Sequence, residues 1–428
     1  MKKVAICGLS NRALNMFIEP IVHLFSGKYT IVGLLDVDPL RDEICKRKFP
    51  ILQDVPFFHQ DQFKQMISET GAETIIVAGR DDTHFSYIIE GLRSNLDVIT
   101  EKPMVTNVED ALKVLEEESK SEGTVYVTFN YRYSPIHRKI KEMIMEGKLG
   151  RITSIELNWM LDTYHGASYF KRWNRSRQYS GGLSIHKSSH HFDLVNWWID
   201  QNPVEVFSFG NLHYYGSNGE LNPSKVDGRH CETCSEQGDC HYYMRWNTRS
   251  NQAEVKDDHL SNKDSIQNSY SDYRPDACIF DSEIDIEDTY VATVKYDKGS
   301  LLSYSVNFSS PYEGYKLAIN GTKGRLETTE FHEPSRIPFP IPEQQTIDYF
   351  PLFGSKETIY VVHTEGGHGG GDPLLLEDLF LGPNPARQYD ILAGARAGYY
   401  SIAVGEGVWR SSMENRPIYI KEIKNKRS

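Results

Sequence analysis

Short apolar runs rich in β-branched residues alternate with helical patterns through the first third of this chain, and that alternation limits the fold more than any other feature. Residues 4–7 are followed by a helical stretch reaching Ile21, then by an apolar run at 30–35. Residues 74–78 precede a helix over 84–92, residues 98–100 precede a helix over 108–121, and a strand at 125–129 closes the series. Strands buried on both faces need helices on both sides, so the pattern predicts a parallel sheet wrapped by helices.

The pattern changes after Asn130. One helix is expected over 135–146, and then aromatic or alternating strands at 152–159, 204–209, 289–296, 300–308 and 315–320, with 181–198 reading as a loop feeding a helix. Strands dominate here, which predicts an α+β region on an open, mostly antiparallel sheet. The expected architecture is therefore α/β plus α+β: a doubly wound parallel domain over residues 1–129 and a substrate and oligomerisation domain over 130–428. Residues from about 211 to 278 are polar and cysteine-bearing and read as an insertion.

The net charge of −12 argues against a nucleic acid partner, because only the tail beginning at Lys421 is locally basic. No stretch is long and apolar enough to cross a bilayer. The apolar run after Met1-Lys2-Lys3 is broken by Gly8, Asn11 and Arg12, so it reads as a strand and not a secretory leader, and a cytoplasmic location is expected.

Gly8-Leu9-Ser10-Asn11-Arg12-Ala13 stands where a G-x-G-x-x-G/A dinucleotide turn would stand, between the first strand and its helix. Glycine makes the tight turn, and the helix N-terminus offers N–H groups to a pyrophosphate, with Gly8, Ser10, Asn11 and Arg12 as the expected contacts. Ser10 departs from the glycine pattern, so a plain strand-turn-helix is the competing reading. Asp36 closes the second strand, where a carboxylate accepts from ribose hydroxyls and repels a 2′-phosphate. NAD is therefore expected over NADP. Arg41 is the residue that would serve a 2′-phosphate, although a solvated helix position suits it as well.

Glu101-Lys102-Pro103 follows the run at 98–100, and a lysine at that strand end faces whatever the first turn holds. Together with Asp82-Thr83-His84, Asn130-Tyr131-Arg132-Tyr133-Ser134-Pro135, Gly147-Lys148-Leu149-Gly150 and Gly181-Gly182, it makes the chain resemble the Gfo/Idh/MocA family of nicotinamide-dependent oxidoreductases. The resemblance implies a Rossmann domain, an activity on sugars or polyols, cofactor contacts from His84, Glu101 and Lys102, and a dimer or tetramer joined through the open sheet. Such proteins place an aspartate and a histidine four residues apart after the glycine pair. Here His190 falls on the histidine, His186 on the aspartate, and Asp193 three residues beyond His190.

A base must take the hydroxyl proton when an alcohol gives up hydride, and an imidazole near neutral pKa suits that task. The expected assignments are His190 as base, Lys102 as electrostatic partner or relay, and His186 as second relay or substrate hydrogen-bonder. His186, His190 and Asp193 also share one helical face, so a structural cap and a metal-ligand pair stay open, while His191 reads as packing. Asn130, Arg132, Tyr164 and Asp193 are the expected substrate contacts, each with a packing alternative. Tyr164, His165, Lys171, Arg172 and Trp173 form an aromatic and basic stretch suited to a sugar or to an exposed loop.

Two segments stand outside this frame. Cys231, Cys234, Cys240 and Cys278, with His241 as an alternative ligand, match a structural zinc site, against free thiols or disulfides. His363 to Pro373 is glycine-rich and precedes a helix expected near Asp372, able to bring His368 or Asp372 to the cleft or to serve as a plain loop. Three functions are compatible with these residues: an NAD-dependent sugar or polyol dehydrogenase, an NAD-dependent glycosidase working by transient oxidation and elimination, and a non-catalytic NAD and sugar sensor.

Overall fold

Val4, Ala5, Ile6 and Cys7 are fully buried in β1 (Lys2–Cys7), the centre of a six-stranded parallel sheet in a computed structural model that describes residues 1–243, 275–362, 367–387 and 389–421. The other strands are β2 (Tyr29–Asp36), β3 (Phe57–His59), β4 (Thr74–Val77), β5 (Asp97–Thr100) and β6 (Val125–Val127), in the order β3-β2-β1-β4-β5-β6. The chain runs outward in one direction from β1 through β2 and returns to place β4 on its other side. Helices leaving β1 and β4 then cover opposite faces, and the carboxyl ends of these two strands open a crevice, the topological switch point of such sheets. Gly8 follows β1, Ala78-Gly79 follows β4 and Glu101-Lys102 follows β5, so all three turns meet there.

A nine-stranded mixed sheet forms the second half. It comprises β7 (Ile152–Asp162), β8 (Pro203–Asn211), β9 (Thr289–Tyr296), β10 (Leu301–Ser310), β11 (Glu313–Gly321), β12 (Gly324–His332), β13 (Gln345–Pro351), β14 (Glu357–Val361) and β15 (Ile418–Tyr419). Their order is β14-β13-β12-β11-β7-β10-β9-β8-β15, and only the β7/β10 pair is parallel. Alternation decides the faces: Tyr290, Ala292, Val294 and Tyr296 point into the core, while Val291 and Leu301 are each 53% and Phe209 62% exposed on the open side.

The buried face lies under the helices Ser189–Ile199 and Ala395–Glu414. His191 stacks on Trp159 of β7 with ring centroids 3.8 Å apart, and the Ser411 hydroxyl accepts from the Ser208 amide of β8 at 3.0 Å. Ala395–Glu414 also reaches the parallel half, where Glu406 accepts from the Val108 amide at 2.7 Å, at the start of the helix Val108–Glu118. Gly405 lets this long helix press on the short helix Leu183–His186, since a Cβ there would sit 2.4 Å from the Ser184 carbonyl oxygen. Helix Ala395–Glu414 thus fixes the second half's site segment against the first half.

The insertion occupies the span between β8 and β9, and its described parts are tied back to the body. The chain pairs at His230 and Ala277, and the Ala277 amide donates to the Lys171 carbonyl at 3.2 Å. Adding one methyl group in Gly405→Ala should force the two helices apart and lower unfolding free energy by roughly 1–3 kcal/mol, measurable by urea titration.

Candidate active site

A cleft of about 710 Å³ runs from the turn after β1 to the helices under the second sheet, lined by both halves of the chain. At its first end Gly8 has φ +92°, and a Cβ there would lie 2.4 Å from Gly79, so only glycine brings the two turns together. Ser10 accepts from the Ala13 amide at 3.1 Å and donates to the Ala78 carbonyl at 2.6 Å, so its hydroxyl caps the helical run over 11–23 and ties it to β4. Asp36 accepts from the Leu9 amide at 2.6 Å and the Asp38 amide at 3.0 Å. Burial raises its pKa, while these amides and Arg41 oppose the rise.

Arg41 is not on a solvated helix face. It donates to the Leu9 carbonyl at 2.8 and 2.7 Å and to Asn11 at 2.9 Å, lying over the turn. Arg12 donates to Glu101 at 2.8 Å and to Asp372 at 3.4 Å, and Asn130 donates to Asp372 at 2.6 Å. Asp372 therefore braces the cofactor turn from within the helix Gly367–Leu381. The His84 ring nitrogens face the carbonyls of Pro103 at 2.9 Å and Gly79 at 3.3 Å, joining the turns after β4 and β5. A narrow cradle between two glycines with a carboxylate at the end of β2 fits a dinucleotide with free ribose hydroxyls.

At the other end stand Lys102, Asp81, His186, Lys187 and His190. His186 Nδ1 lies 2.5 Å from Asp81 Oδ2, and His186 Nε2 lies 3.2 Å from Asn174 Nδ2. The tautomer with its proton on Nδ1 satisfies both: it donates to the carboxylate and accepts from the amide. Both ring nitrogens are then engaged, so His186, although it lines the cleft, holds Asp81 in place and has no nitrogen left for a substrate hydroxyl, contrary to the substrate hydrogen bond that was one of the two roles expected of it. Asp81 comes from the first half of the chain, in the turn after β4, and the sequence reading missed it.

Lys102 donates to the His186 carbonyl at 3.3 Å. Burial lowers its pKa, against the pull of Asp81 and Glu101, and burial raises that of Asp81, against His84 and Lys102. Burial, then Lys102, Arg172 and Lys187 in turn, hold the His186 imidazole well below its ordinary value. His190 stacks on Tyr131 with ring centroids 4.4 Å apart and planes at 19°, and Tyr131 stacks on Trp159 at 5.7 Å and 11°. A column of rings thus runs from the cleft to β7. Tyr169, Arg172 and Trp173 form the remaining wall, with His165 beside them and Pro275 of the insertion opposite the open side.

Several expected site residues are elsewhere. Arg132 and Asp193 form a buried two-pronged ion pair, at 2.8 and 2.6 Å, and neither lines the cleft. Burial raises the Asp193 pKa while Arg132 opposes it, so the pair is a strut joining the segment Asn130–Tyr133 to the helix Ser189–Ile199. Tyr164 is also off the cleft, beneath the Arg336 guanidinium at 5.2 Å.

The four cysteines line one small pocket of about 20 Å³ as free thiols. Among the described residues no group of three or more histidine, cysteine or acidic side chains is arranged to hold a metal ion, so the expected zinc is not supported. Burial pushes the Cys231 thiol up to about 12 and raises Cys278 as well. Within the glycine-rich segment, residues 363–366 lie outside the described residues, and Asp372 serves the first half as stated.

Two family models match the chain: "Oxidoreductase family, NAD-binding Rossmann fold" over residues 2–129 and "Oxidoreductase family, C-terminal alpha/beta domain" over residues 141–420. The chain is 66% identical to YteT, a candidate oxidoreductase of Bacillus subtilis (strain 168), over 424 residues covering 99% of each. It is 22% identical to a myo-inositol 2-dehydrogenase of Thermotoga maritima over 148 residues, 35% of this chain and 42% of that one. In fold it is similar to an aldose-aldose oxidoreductase from Caulobacter crescentus complexed with glycerol, with TM-score 0.63, 15% identity, and 98% and 99% of the two chains covered. Among the described residues no helix is long and apolar enough to cross a membrane.

Removing one partner of a buried ion pair strands the other. Asp193→Ala should therefore destabilise the fold by roughly 3–5 kcal/mol. Ligand affinity of the protein that remains folded should stay close to the parent's, which calorimetry beside thermal unfolding would show.

Proposed function

We propose, on the premise that the chain belongs to the Gfo/Idh/MocA oxidoreductase family, that it transfers a hydride between a secondary hydroxyl of a sugar or cyclic polyol and NAD. The observation that carries this reading is the continuity of one cleft, with Gly8 and Asp36 at one end and Lys102, Asp81 and His190 at the other. NAD, when bound, supplies the hydride acceptor. The chain's own groups manage the proton and the charge.

His190 takes the hydroxyl proton from a position set by the ring column beneath it. Lys102 stabilises the oxygen as negative charge develops, and its lowered pKa makes it a ready proton donor in the reverse direction. Asp81 keeps the ammonium oriented and is itself held by His186, so the carboxylate that the family resemblance placed at residue 186 is supplied from the facing half. Asp36 favours NAD over NADP, since its carboxylate repels a 2′-phosphate and Arg41 is spent on the turn. A role in carbohydrate metabolism, a cytoplasmic location and a homo-oligomer formed through the open sheet face belong to the same proposal.

The test is to incubate the protein with NAD and a panel of sugars, polyols and aryl glycosides, following reduced cofactor and released aglycone together. Net reduced cofactor is expected. Aglycone without net reduction would make the protein a glycosidase, and binding without either would make it a sensor. Lys102→Ala should cut turnover by roughly 10²–10⁴-fold and Asp81→Asn by about 10-fold or more, with NAD affinity nearly intact in both. Unchanged turnover in Lys102→Ala would remove that lysine from the mechanism.

A further inference from the structure

Of the guanidinium groups lining the cleft, Arg12 has Glu101 and Arg80 has Asp82. Lys187 and Arg172, both lining the sugar end of the cleft, have none among the described residues. Lys187 is only 5% exposed, and its ammonium donates to the Tyr131 hydroxyl at 3.3 Å. Arg172 gives Nε to the Ser168 carbonyl at 2.9 Å and Nη2 to the Ser168 hydroxyl at 3.2 Å. Its Nη1 has no partner among the described residues.

Glu313, behind this wall, attracts Lys187 from beyond ion-pair contact but is already bound to His165 at 2.9 Å and Arg336 at 3.3 Å. A buried ammonium with no carboxylate in direct contact is costly unless an anion joins it. The cations Lys102, Lys187 and Arg172 share the cleft with Asp81, whose burial already works against its ionisation, and with Glu101, which is already bound to Arg12.

We infer that the substrate is a sugar acid whose carboxylate is held between Arg172 Nη1 and Lys187 Nζ. This rests on the reading of the cleft as a sugar or polyol oxidation site and names the class it takes. One guanidinium nitrogen and one ammonium offer a donor to each oxygen of a planar carboxylate, and charge-assisted bonds of this kind are the strong ones. A phosphate monoester, with three oxygens and nearly two charges, asks for more donors than the pair supplies. Tyr169 and Trp173 give the sugar's apolar face a surface on the same wall. Lys187 sits between His186 and His190 in sequence, so gripping the carboxylate places the rest of the ring directly at the acid-base groups.

Calorimetric titration of the NAD-loaded protein with glucuronate and galacturonate, against glucose, galactose and glucose 6-phosphate, tests this. Each acid should bind about tenfold or more tightly than its neutral partner. Arg172→Gln and Lys187→Gln should each shrink that ratio toward unity while neutral-sugar and NAD affinities hold. Should Lys187→Gln fail to fold, Arg172→Gln, at a part-exposed position, carries the same test. Equal binding of acid and neutral sugars, a preference for the phosphate ester, no measurable binding of either acid, or a ratio untouched by Arg172→Gln would overturn the inference. Acid preference without any reduced cofactor would sink the dehydrogenase reading and leave the carboxylate grip standing.

Discussion

The contact between Gly8 and Gly79 sets the geometry of everything built above it. Two strands that part at their carboxyl ends open a crevice, and how wide it opens depends on how closely the next residues approach. A Cβ at Gly8 would meet the Gly79 backbone at 2.4 Å, so the turns touch only because residue 8 is glycine. From that contact Ser10 bonds back to Ala78 and His84 faces Gly79 and Pro103, which places Lys102 over the same point. The lysine's position is thus an outcome of backbone packing three strands wide.

The chemistry sits across a seam between two halves, and charge bridges it. Asp81 from one half meets His186 from the other at 2.5 Å, while helix Ala395–Glu414 closes the seam from the far side through Glu406 and Val108. Neither half alone holds the ammonium, the carboxylate and the histidine pair. In the proposed reaction the relative placement of the two sheets is therefore part of the acid-base apparatus, and any shift between them would be felt first as a loosening of the Asp81–His186 bond.

The parallel sheet was legible because its strands are continuous apolar runs separated by well-formed helical patterns. β3, at Phe57–His59, was not, being three residues long with a polar end, and β12 and β13 carry charged residues in alternation that an apolar-run criterion passes over. Lys102 and Asp36 were singled out from their places at strand ends and His190 from the family resemblance, and all three line the cleft. Asp81 was not: Asp81 and Asp82 are adjacent, and only tertiary structure sends one into the cleft and the other to Arg80. Arg132 and Asp193 misled for a related reason, since polar residues near a site read the same whether they face a ligand or each other. The cysteines carried a metal-like spacing, but spacing along the chain does not set side-chain arrangement, and among the described residues no group of three or more is arranged to hold a metal ion.

The ring column beneath His190 has a mechanical meaning. Tyr131, Trp159 and His191 are packed face to face between the cleft and a strand at the middle of the nine-stranded sheet. Stacked rings resist compression, so His190 inherits the stiffness of the sheet and not only that of the helix end that carries it. In the proposed reaction, a base mounted this way would not recoil as a substrate settles against it, and little of the reorganisation that proton transfer demands in water would be left to occur at that residue.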